Sequence, residues 1–245
     1  GPYIWNLNGL SVLTSIGGDV LINVNPYLTN LSGLNNVTTI AGQLYIRENT
    51  ALTSISALMS LTAIGTNLYI ENNDALTSLS GLNSVTSIGG TLDIRYNESL
   101  ASLSGLEGLI SIGGDLIIGI PGFEGNPSLA SLAGLANVAS IGGDLKLYNN
   151  DALASLTGLE NIEAASINNL GIAENQSLST CHVYSVCNYL ANPSGNVEIY
   201  GNATGCNTQS EVETACGVGI SESNFRPWLS IFPNPAKDKI TIESL

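Results

Sequence analysis

A leucine that recurs every 24 residues constrains this chain more than any other feature of its sequence. The leucine occupies Leu34, Leu58, Leu82 and Leu106, and the spacing resumes at Leu135 and Leu159 after an insertion of five residues. Other apolar positions repeat in step with it, so that a unit reads roughly LTSLSGLNSVTSIGGTLDIRYNES. A unit of this length repeated along a chain is typical of a solenoid, in which each unit forms one coil.

The apolar columns predict an interior of stacked aliphatic side chains, because Leu76, Leu79, Val85 and Ile88 have apolar counterparts in nearly every unit. Each unit buries about seven such side chains at roughly 1.5–3 kcal/mol apiece. Ordering a unit costs roughly 1–2 kcal/mol per residue, so a single unit cannot fold and only the array is stable. Ile4 and Ile16 already fit the columns in mid-unit, and we expect further units ahead of Gly1.

Within each unit, a short stretch alternates apolar and polar residues, as in Leu92, Asp93, Ile94 and Arg95, which is the period of a half-buried strand. Stacked copies of this stretch predict a parallel sheet. Glycine pairs such as Gly89 and Gly90 precede the strand, where we expect a tight corner with positive φ. An asparagine column follows the strand, and we expect its side chains to bond inward to turn backbone and to one another. Its members are Asn25, Asn49, Asn73, Asn97, Asn126, Asn150 and, one residue late, Asn175.

The outward positions of the strand are the candidate binding residues. They form one column of Leu21, Tyr45, Tyr69, Asp93, Ile117 and Lys146, and a second of Asn23, Arg47, Glu71, Arg95, Gly119 and Tyr148. The three basic residues of the repeat region lie in these columns together with three tyrosines. Tyrosine and arginine on a rigid face are typical of recognition surfaces. The same residues could instead pair along the ladder and serve packing only.

The five-residue insertion falls within residues 119–125, beside the outward columns. Inserted loops on solenoids often line the binding side, and Phe123 has no repeat column in which to be buried. We therefore expect the loop to form the rim of a ligand site. Acidic residues near the turns, such as Glu98 and Asp151, could bind calcium, but they do not form the GGxGxDxUx calcium repeat and solvated turn acids are the simpler interpretation.

Four cysteines, Cys181, Cys187, Cys206 and Cys216, follow the repeats without the CxxC spacing of a zinc site. They favour two disulfides, with three possible connectivities, and an oxidising compartment. We expect a short helix capped by Ser179 or Thr180 and a second one capped by Thr208. The sequence thus predicts a solenoid over residues 1–178, a disulfide-containing cap over 179–220, and a linker with a further segment over 221–245.

The SIGGxLxI and NxxLTSLxGL strings resemble leucine-rich repeats, and more closely the right-handed β-helix repeats of receptor L domains, over about residues 4–178. The resemblance implies a mainly β, right-handed parallel β-solenoid. The units are poor in helix formers, so we expect strand and turn on the convex side. The final segment, with LSIFPNPA at residues 229–236 followed by Ile240 and Ile242, resembles the start of the C-terminal sorting domain of the type IX secretion system of Bacteroidetes. That resemblance implies export to the cell surface or medium.

Composition excludes some classes of partner. The formal net charge of −14 disfavours nucleic acid, whose binding needs clustered Lys and Arg. No apolar run is long enough to span a membrane. The single histidine, His182, has no catalytic partner at a recognisable spacing. We expect no enzymatic activity, no cofactor and no metal site.

The sequence therefore predicts a secreted or cell-surface binding or adhesion module, monomeric and located outside the cell, that recognises a protein or glycan through the outward face of the solenoid sheet. The alternative is a structural spacer or a self-assembling, fibre-type surface protein.

Overall fold

The computed structural model describes residues 4–123 and 125–217, and these residues form a parallel β-solenoid of about eight turns with two helices near its C-terminal end. The predicted mainly β solenoid is confirmed. The segment that resembles a sorting domain lies outside the described residues.

Two parallel sheets run along the solenoid. The strands are β1 Ser15–Ile16, β2 Val20–Asn23, β3 Thr39–Ile40, β4 Leu44–Arg47, β5 Ala63–Ile64, β6 Leu68–Glu71, β7 Ser87–Ile88, β8 Leu92–Arg95, β9 Ser111–Ile112, β10 Leu116–Ile118, β11 Ser140–Ile141, β12 Leu145–Tyr148, β13 Leu170–Ala173 and β14 Val197–Tyr200. The main sheet has eight strands in the order β14-β13-β12-β10-β8-β6-β4-β2. The second sheet, in the order β1-β3-β5-β7-β9-β11, consists of two-residue strands.

The remaining wall of the solenoid consists of turns and short 3₁₀ helices rather than α-helix, as the composition predicts. The 3₁₀ segments are Asn8–Leu10, Ser56–Leu58, Ala133–Leu135 and Ala164–Ser166.

Equivalent aliphatic side chains lie over one another in a single hydrophobic core. Leu58 and Leu82, from successive units, are both fully buried and belong to the same cluster, which extends from Ile22 to Val212. In the first coil the same columns are only partly covered: Ile4 is 45% exposed and Leu10 39%. No strand pairs with the outer edge of β2, so these side chains have a neighbouring coil on one side only within the described residues.

The asparagine column forms a buried hydrogen-bonded ladder, as predicted. The backbone N–H and Nδ2 of Asn73 donate to Oδ1 of Asn97 in the next coil, at 3.1 and 3.4 Å. Nδ2 of Asn73 also donates to the carbonyl of Ile46 in the preceding coil, at 3.0 Å. The ladder continues to Asn202, which the sequence pattern missed and which accepts from Asn175 at 3.0 and 3.1 Å.

The glycine pairs have a different role from the predicted one, because none of them has a positive φ. A Cβ atom on Gly89 would collide with the carbonyl of Gly65, and one on Gly113 would collide with that of Gly89. These glycines are therefore required for close approach of successive coils. The left-handed conformation occurs elsewhere, at the residue before six of the ladder asparagines, with φ between 53° and 60°. Those residues are Val24, Glu48, Asn72, Tyr96, Asn149 and Glu174.

The C-terminal end is covered by helices α1, Tyr184–Ala191, and α2, Gln209–Cys216, with disulfides Cys181–Cys206 and Cys187–Cys216. Thr208 caps α2 by accepting from the backbone N–H of Glu211, as predicted. The prediction for α1 was wrong: it begins at Tyr184, and neither Ser179 nor Thr180 caps it. Both of those residues still follow the path of the coil, because their backbone N–H groups donate to the carbonyl of Ala154.

Candidate binding surface

The strand register aligns the first outward column as predicted and most of the second. Gly119 is the exception, because β10 ends at Ile118 and Gly119 lies outside its paired residues. Leu21, Tyr45, Tyr69, Asp93, Ile117 and Lys146 are successive partners across the main sheet, and so are Asn23, Arg47, Glu71 and Arg95. The structure extends the first column to Gly171 and Glu198 and the second to Ala173 and Tyr200, which the sequence analysis left out. The alternation of Val197 and Ile199 is the sequence signal that could have identified Glu198 and Tyr200. We call this surface of the main sheet the outer face.

Glu71 is the centre of a side-chain network on the outer face of β4, β6 and β8. It is only 5% exposed, although it lies on the solvent side of the sheet. Its Oε1 accepts from Nε and Nη2 of Arg95 at 3.0 and 2.7 Å, and its Oε2 accepts from the hydroxyl of Tyr45 at 2.8 Å. A buried carboxylate is stable there because a guanidinium and a hydroxyl donate hydrogen bonds to its two oxygens.

Arg47 lies at the exposed border of this network. Its Nη2 is 2.7 Å from Oε1 of Glu48, and its Nε is 3.9 Å from Oε2 of Glu71. Arg47, Glu71 and Arg95 thus interact along the ladder, as the packing interpretation expected. The same contacts also fix the guanidinium groups in position on the surface.

Asp93 is the second buried carboxylate of the network, at 4% exposed. Its Oδ2 is 3.4 Å from Nη2 of Arg95, while its Oδ1 has no hydrogen-bond partner among the residues that the structure describes. Burial raises the pKa of Asp93 to about 6, with Arg95 opposing the shift and Glu71 adding to it. Burial therefore disfavours the ionised form of Asp93, although Arg95 lies beside it.

Two tyrosines cover these charged groups. The rings of Tyr45 and Tyr69 meet edge to face with centroids 5.2 Å apart, and both remain partly exposed. Burial and the hydrogen bond to Glu71 raise the pKa of the Tyr45 hydroxyl, which stays protonated and donates to that carboxylate. We call Tyr45, Arg47, Tyr69, Glu71, Asp93 and Arg95 the tyrosine-arginine patch.

The other predicted site residues lie apart from this patch. Lys146 is paired with Asp144 at 2.7 Å, and Tyr148 is 97% buried and donates to Glu198 at 3.3 Å. Phe123 is 65% exposed in the inserted loop. The loop is held by Glu174, whose Oε2 accepts from the backbone N–H of Gly122 at 2.8 Å and from Nδ2 of Asn149 at 2.9 Å.

An open cavity of about 540 Å³ lies beside the inserted loop, lined by Phe123, Glu98, Asp151 and Glu174 among others. Within residues 4–123 and 125–217 no set of three or more His, Cys, Asp or Glu side chains is placed to hold a metal ion. No helix in that part of the chain is long and apolar enough to cross a bilayer.

Comparison with known proteins gives one match. The family model for the Receptor L domain matches residues 12–103, which are 92 of the chain's 245 residues and include the whole tyrosine-arginine patch. No curated protein and no solved structure shows significant similarity to the chain. A Receptor L domain is generally a ligand-binding extracellular module, and the two disulfides are typical of extracellular proteins. Over its first four coils, the chain is similar to this family.

Proposed function

We propose that this protein is a secreted or cell-surface binding module, without chemistry of its own, that recognises a protein or glycan through the outer face of its main sheet. The tyrosine-arginine patch is the proposed contact site, and the inserted loop with Phe123 is its second element. Lys146 continues the same face toward the C-terminal end, where the buried Tyr148 contributes its hydroxyl group.

The observation that carries the proposal is the arrangement around Glu71. Tyr45 and Arg95 are both bound to this buried carboxylate, so their positions are set before any partner arrives. Ordering long side chains on binding costs about 0.5–1.5 kcal/mol each, and a prearranged patch avoids that cost. The rings of Tyr45 and Tyr69 remain partly exposed and are therefore accessible to a partner.

Protein and glycan partners both fit this surface. Tyrosine rings offer flat apolar contact area with a polar tip, and the half-exposed guanidinium of Arg47 offers directional donors. Each arginine lies beside a carboxylate, so the patch does not present a strong positive field.

The proposal is tested by screening the chain against arrays of glycans and extracellular proteins, together with a Tyr45→Ala, Tyr69→Ala variant. We expect at least a tenfold loss of affinity for the true ligand, because two central aromatic contacts disappear. Tyr184→Ala is the matched control, since Tyr184 is 72% exposed on α1. Equal affinity of the unmodified chain, the double variant and the control would show that the patch is not the binding site.

A separate Phe123→Ala variant tests the inserted loop. If the loop forms the rim of the site, this variant weakens binding of the same ligand severalfold. Unchanged affinity would restrict the site to the tyrosine-arginine patch.

One observation favours the alternative of a self-assembling unit. No strand pairs with the outer edge of β2 within the described residues, and the first coil has exposed apolar side chains, with Val12 83% and Leu21 56% exposed. Stacking head to tail into a fibre would need an open opposite end, and α1 and α2 pack against that end. Light scattering after size-exclusion chromatography distinguishes the two functions, because a binding module stays monomeric and a fibre unit grows with concentration.

The export route is proposed from sequence resemblance alone. We infer that residues 229–242 belong to a sorting domain that directs the parent protein through a type IX system in a member of the Bacteroidetes. Localisation of the tagged protein in strains with and without that system tests the inference, and equal export in both would contradict it.

A further inference from the structure

A small polar notch interrupts the outer face near its C-terminal end. The first outward column continues from Lys146 through Gly171 to Glu198 on β12, β13 and β14, and Gly171 contributes no side chain to it. A cavity of about 140 Å³ lies at this gap, bordered by Lys146, Glu198, Tyr148 and Asn196. Its size is that of a few water molecules, at about 30 Å³ each, or of the hydroxyl-bearing edge of one sugar ring.

Gly171 leaves room for the hydroxyl group of Tyr148, which forms one side of the notch. A Cβ atom at Gly171 would collide with the hydroxyl of Tyr148, so that hydroxyl lies over the glycine in the space a side chain would fill. From there it donates to Oε2 of Glu198 at 3.3 Å. Tyr148 itself is 97% buried, which fixes the position of the group.

The notch contains both hydrogen-bond donors and hydrogen-bond acceptors that make no bond within the described part of the protein. Lys146 gives one contact to Asp144, at 2.7 Å, and an ammonium has three donors. Across the described residues, Oε1 of Glu198 and the side-chain amide of Asn196 make no hydrogen bond. The notch therefore offers donors from Lys146 and Asn196 together with an acceptor from Glu198.

Because the notch has both donors and acceptors, it favours an uncharged ligand that can donate and accept hydrogen bonds. An anion would meet the carboxylates of Glu198 and Asp144, and a cation would leave the donors of Lys146 and Asn196 unmatched. A hydroxyl both donates and accepts, so adjacent hydroxyls of a neutral sugar can use all of these groups at once. We propose that the notch at Gly171 is a subsite for one neutral sugar ring. The inference rests on the proposed function and specifies a glycan at this position of the outer face.

Residue-resolved NMR titration of the full chain tests the subsite with D-galactose, D-glucose, D-mannose and L-fucose as probes. D-glucuronate, lysine amide and calcium chloride serve as anionic and cationic probes. We expect at least one neutral sugar to shift the backbone amides of Lys146, Gly171 and residues 196–198, with weak affinity that suits an open notch.

Two surface variants identify the contacts. Glu198→Ala and Asn196→Ala should each lower the affinity for that sugar, the first by about tenfold because a charged acceptor is lost. Glu163→Ala and Asn188→Ala are matched controls, since both residues are exposed outside the notch, and they should leave the affinity unchanged. Loss in the controls equal to that in the test variants would overturn the subsite.

The outcomes separate this inference from the proposed function. Shifts caused only by lysine amide, calcium or glucuronate, or no shift with any sugar, would overturn the sugar subsite. If a sugar shifted only the backbone amide signals of Tyr45 and Tyr69, the subsite at the notch would be overturned, and the tyrosine-arginine patch would be supported. A protein ligand that is lost in the Tyr45→Ala, Tyr69→Ala variant would support the proposed function whatever happens at the notch.

Discussion

The first coil and the interior coils have nearly the same sequence pattern but very different surroundings. Leu10 and Leu58 occupy the same column, yet Leu10 is 39% exposed and Leu58 is fully buried. The difference is that an interior coil has neighbours on both sides, whereas β2 is the terminal strand of its sheet in the described residues. Burial in this fold is therefore a property of the stack and not of the unit.

The C-terminal end shows how a coil with one coil neighbour is covered by other means. There α1 and α2 supply Val186, Tyr189 and Val212 to the core. The disulfide Cys187–Cys216 joins the two helices, and Cys181–Cys206 joins the segments that precede them. Tyr189 also donates to the carbonyl of Asn168 at 2.7 Å, which ties the cap to the solenoid backbone. In the described part of the chain, the C-terminal end is thus covered by helices and the first coil is partly exposed. Substitutions at the two ends and in the interior coils measure how much this burial contributes to stability.

The largest expected effect is that of removing a core leucine from an interior coil. Leu82→Ala should lower the free energy of unfolding by about 3–5 kcal/mol, because it leaves a cavity between two coils. Leu10→Ala, in the same column of the first coil, should cost about 1 kcal/mol or less, because its surroundings can collapse or fill with water. Chemical denaturation of both variants measures the difference, and similar losses would contradict the comparison.

Removal of one cap disulfide should have the next largest effect. Cys187→Ser together with Cys216→Ser opens a link between residues 29 apart, which corresponds to a loss of about 2–4 kcal/mol. Limited proteolysis should then cleave within residues 179–217 before the repeats. Cleavage that begins in the interior coils instead would show that the cap does not protect its end.

Replacing a ladder asparagine should likewise lower the free energy of unfolding more in an interior coil than in the first coil. Asn97→Ala removes the buried hydrogen bonds to the carbonyl of Ile70 and from the backbone N–H of Asn73, at a cost of about 2–3 kcal/mol. Asn25→Ala removes bonds at a partly buried position and should cost about 1 kcal/mol. Thermal unfolding of the two variants compares them, and a larger loss for Asn25→Ala would count against the ladder.

The smallest predicted effect is a dependence on pH. The pKa of Asp93 is raised to about 6 in the folded chain, so its ionised form destabilises the fold above that pH. As pH falls from about 6 to about 4, Asp93 takes up a proton in the folded state first, and this destabilisation is relieved. Asp93→Asn should therefore be more stable than the natural chain at pH 7, by about 1 kcal/mol, and the advantage should shrink toward pH 4.

Asp19→Asn is the control, because it lies in the first coil and changes the net charge by the same amount as Asp93→Asn. Denaturation midpoints at a series of pH values give the comparison. An advantage of Asp93→Asn that stayed constant with pH, or matched that of Asp19→Asn, would contradict the assignment of the effect to Asp93.

The sequence was sufficient to predict the ladders, the main sheet and the order of the outward columns. A constant repeat length forces equivalent residues into register, so the pairing of Tyr45 with Tyr69 follows from their spacing. Features that depend on contacts between coils were not predictable in this way. The close approach at Gly89, the burial of Asp93 and the gap at Gly171 depend on distances between neighbouring coils, which a one-dimensional pattern does not contain. The start of α1 was missed because Thr180 still belongs to the coil.

Native-state hydrogen exchange of the strand amides tests the central claim, that each coil is stabilised by the coils on both sides of it. The stacked arrangement predicts the slowest exchange in β6, β8 and β10 and much faster exchange in β2, with protection restored toward β13 by the cap. Exchange in β2 as slow as in β8, or equal protection along the whole main sheet, would contradict the claim.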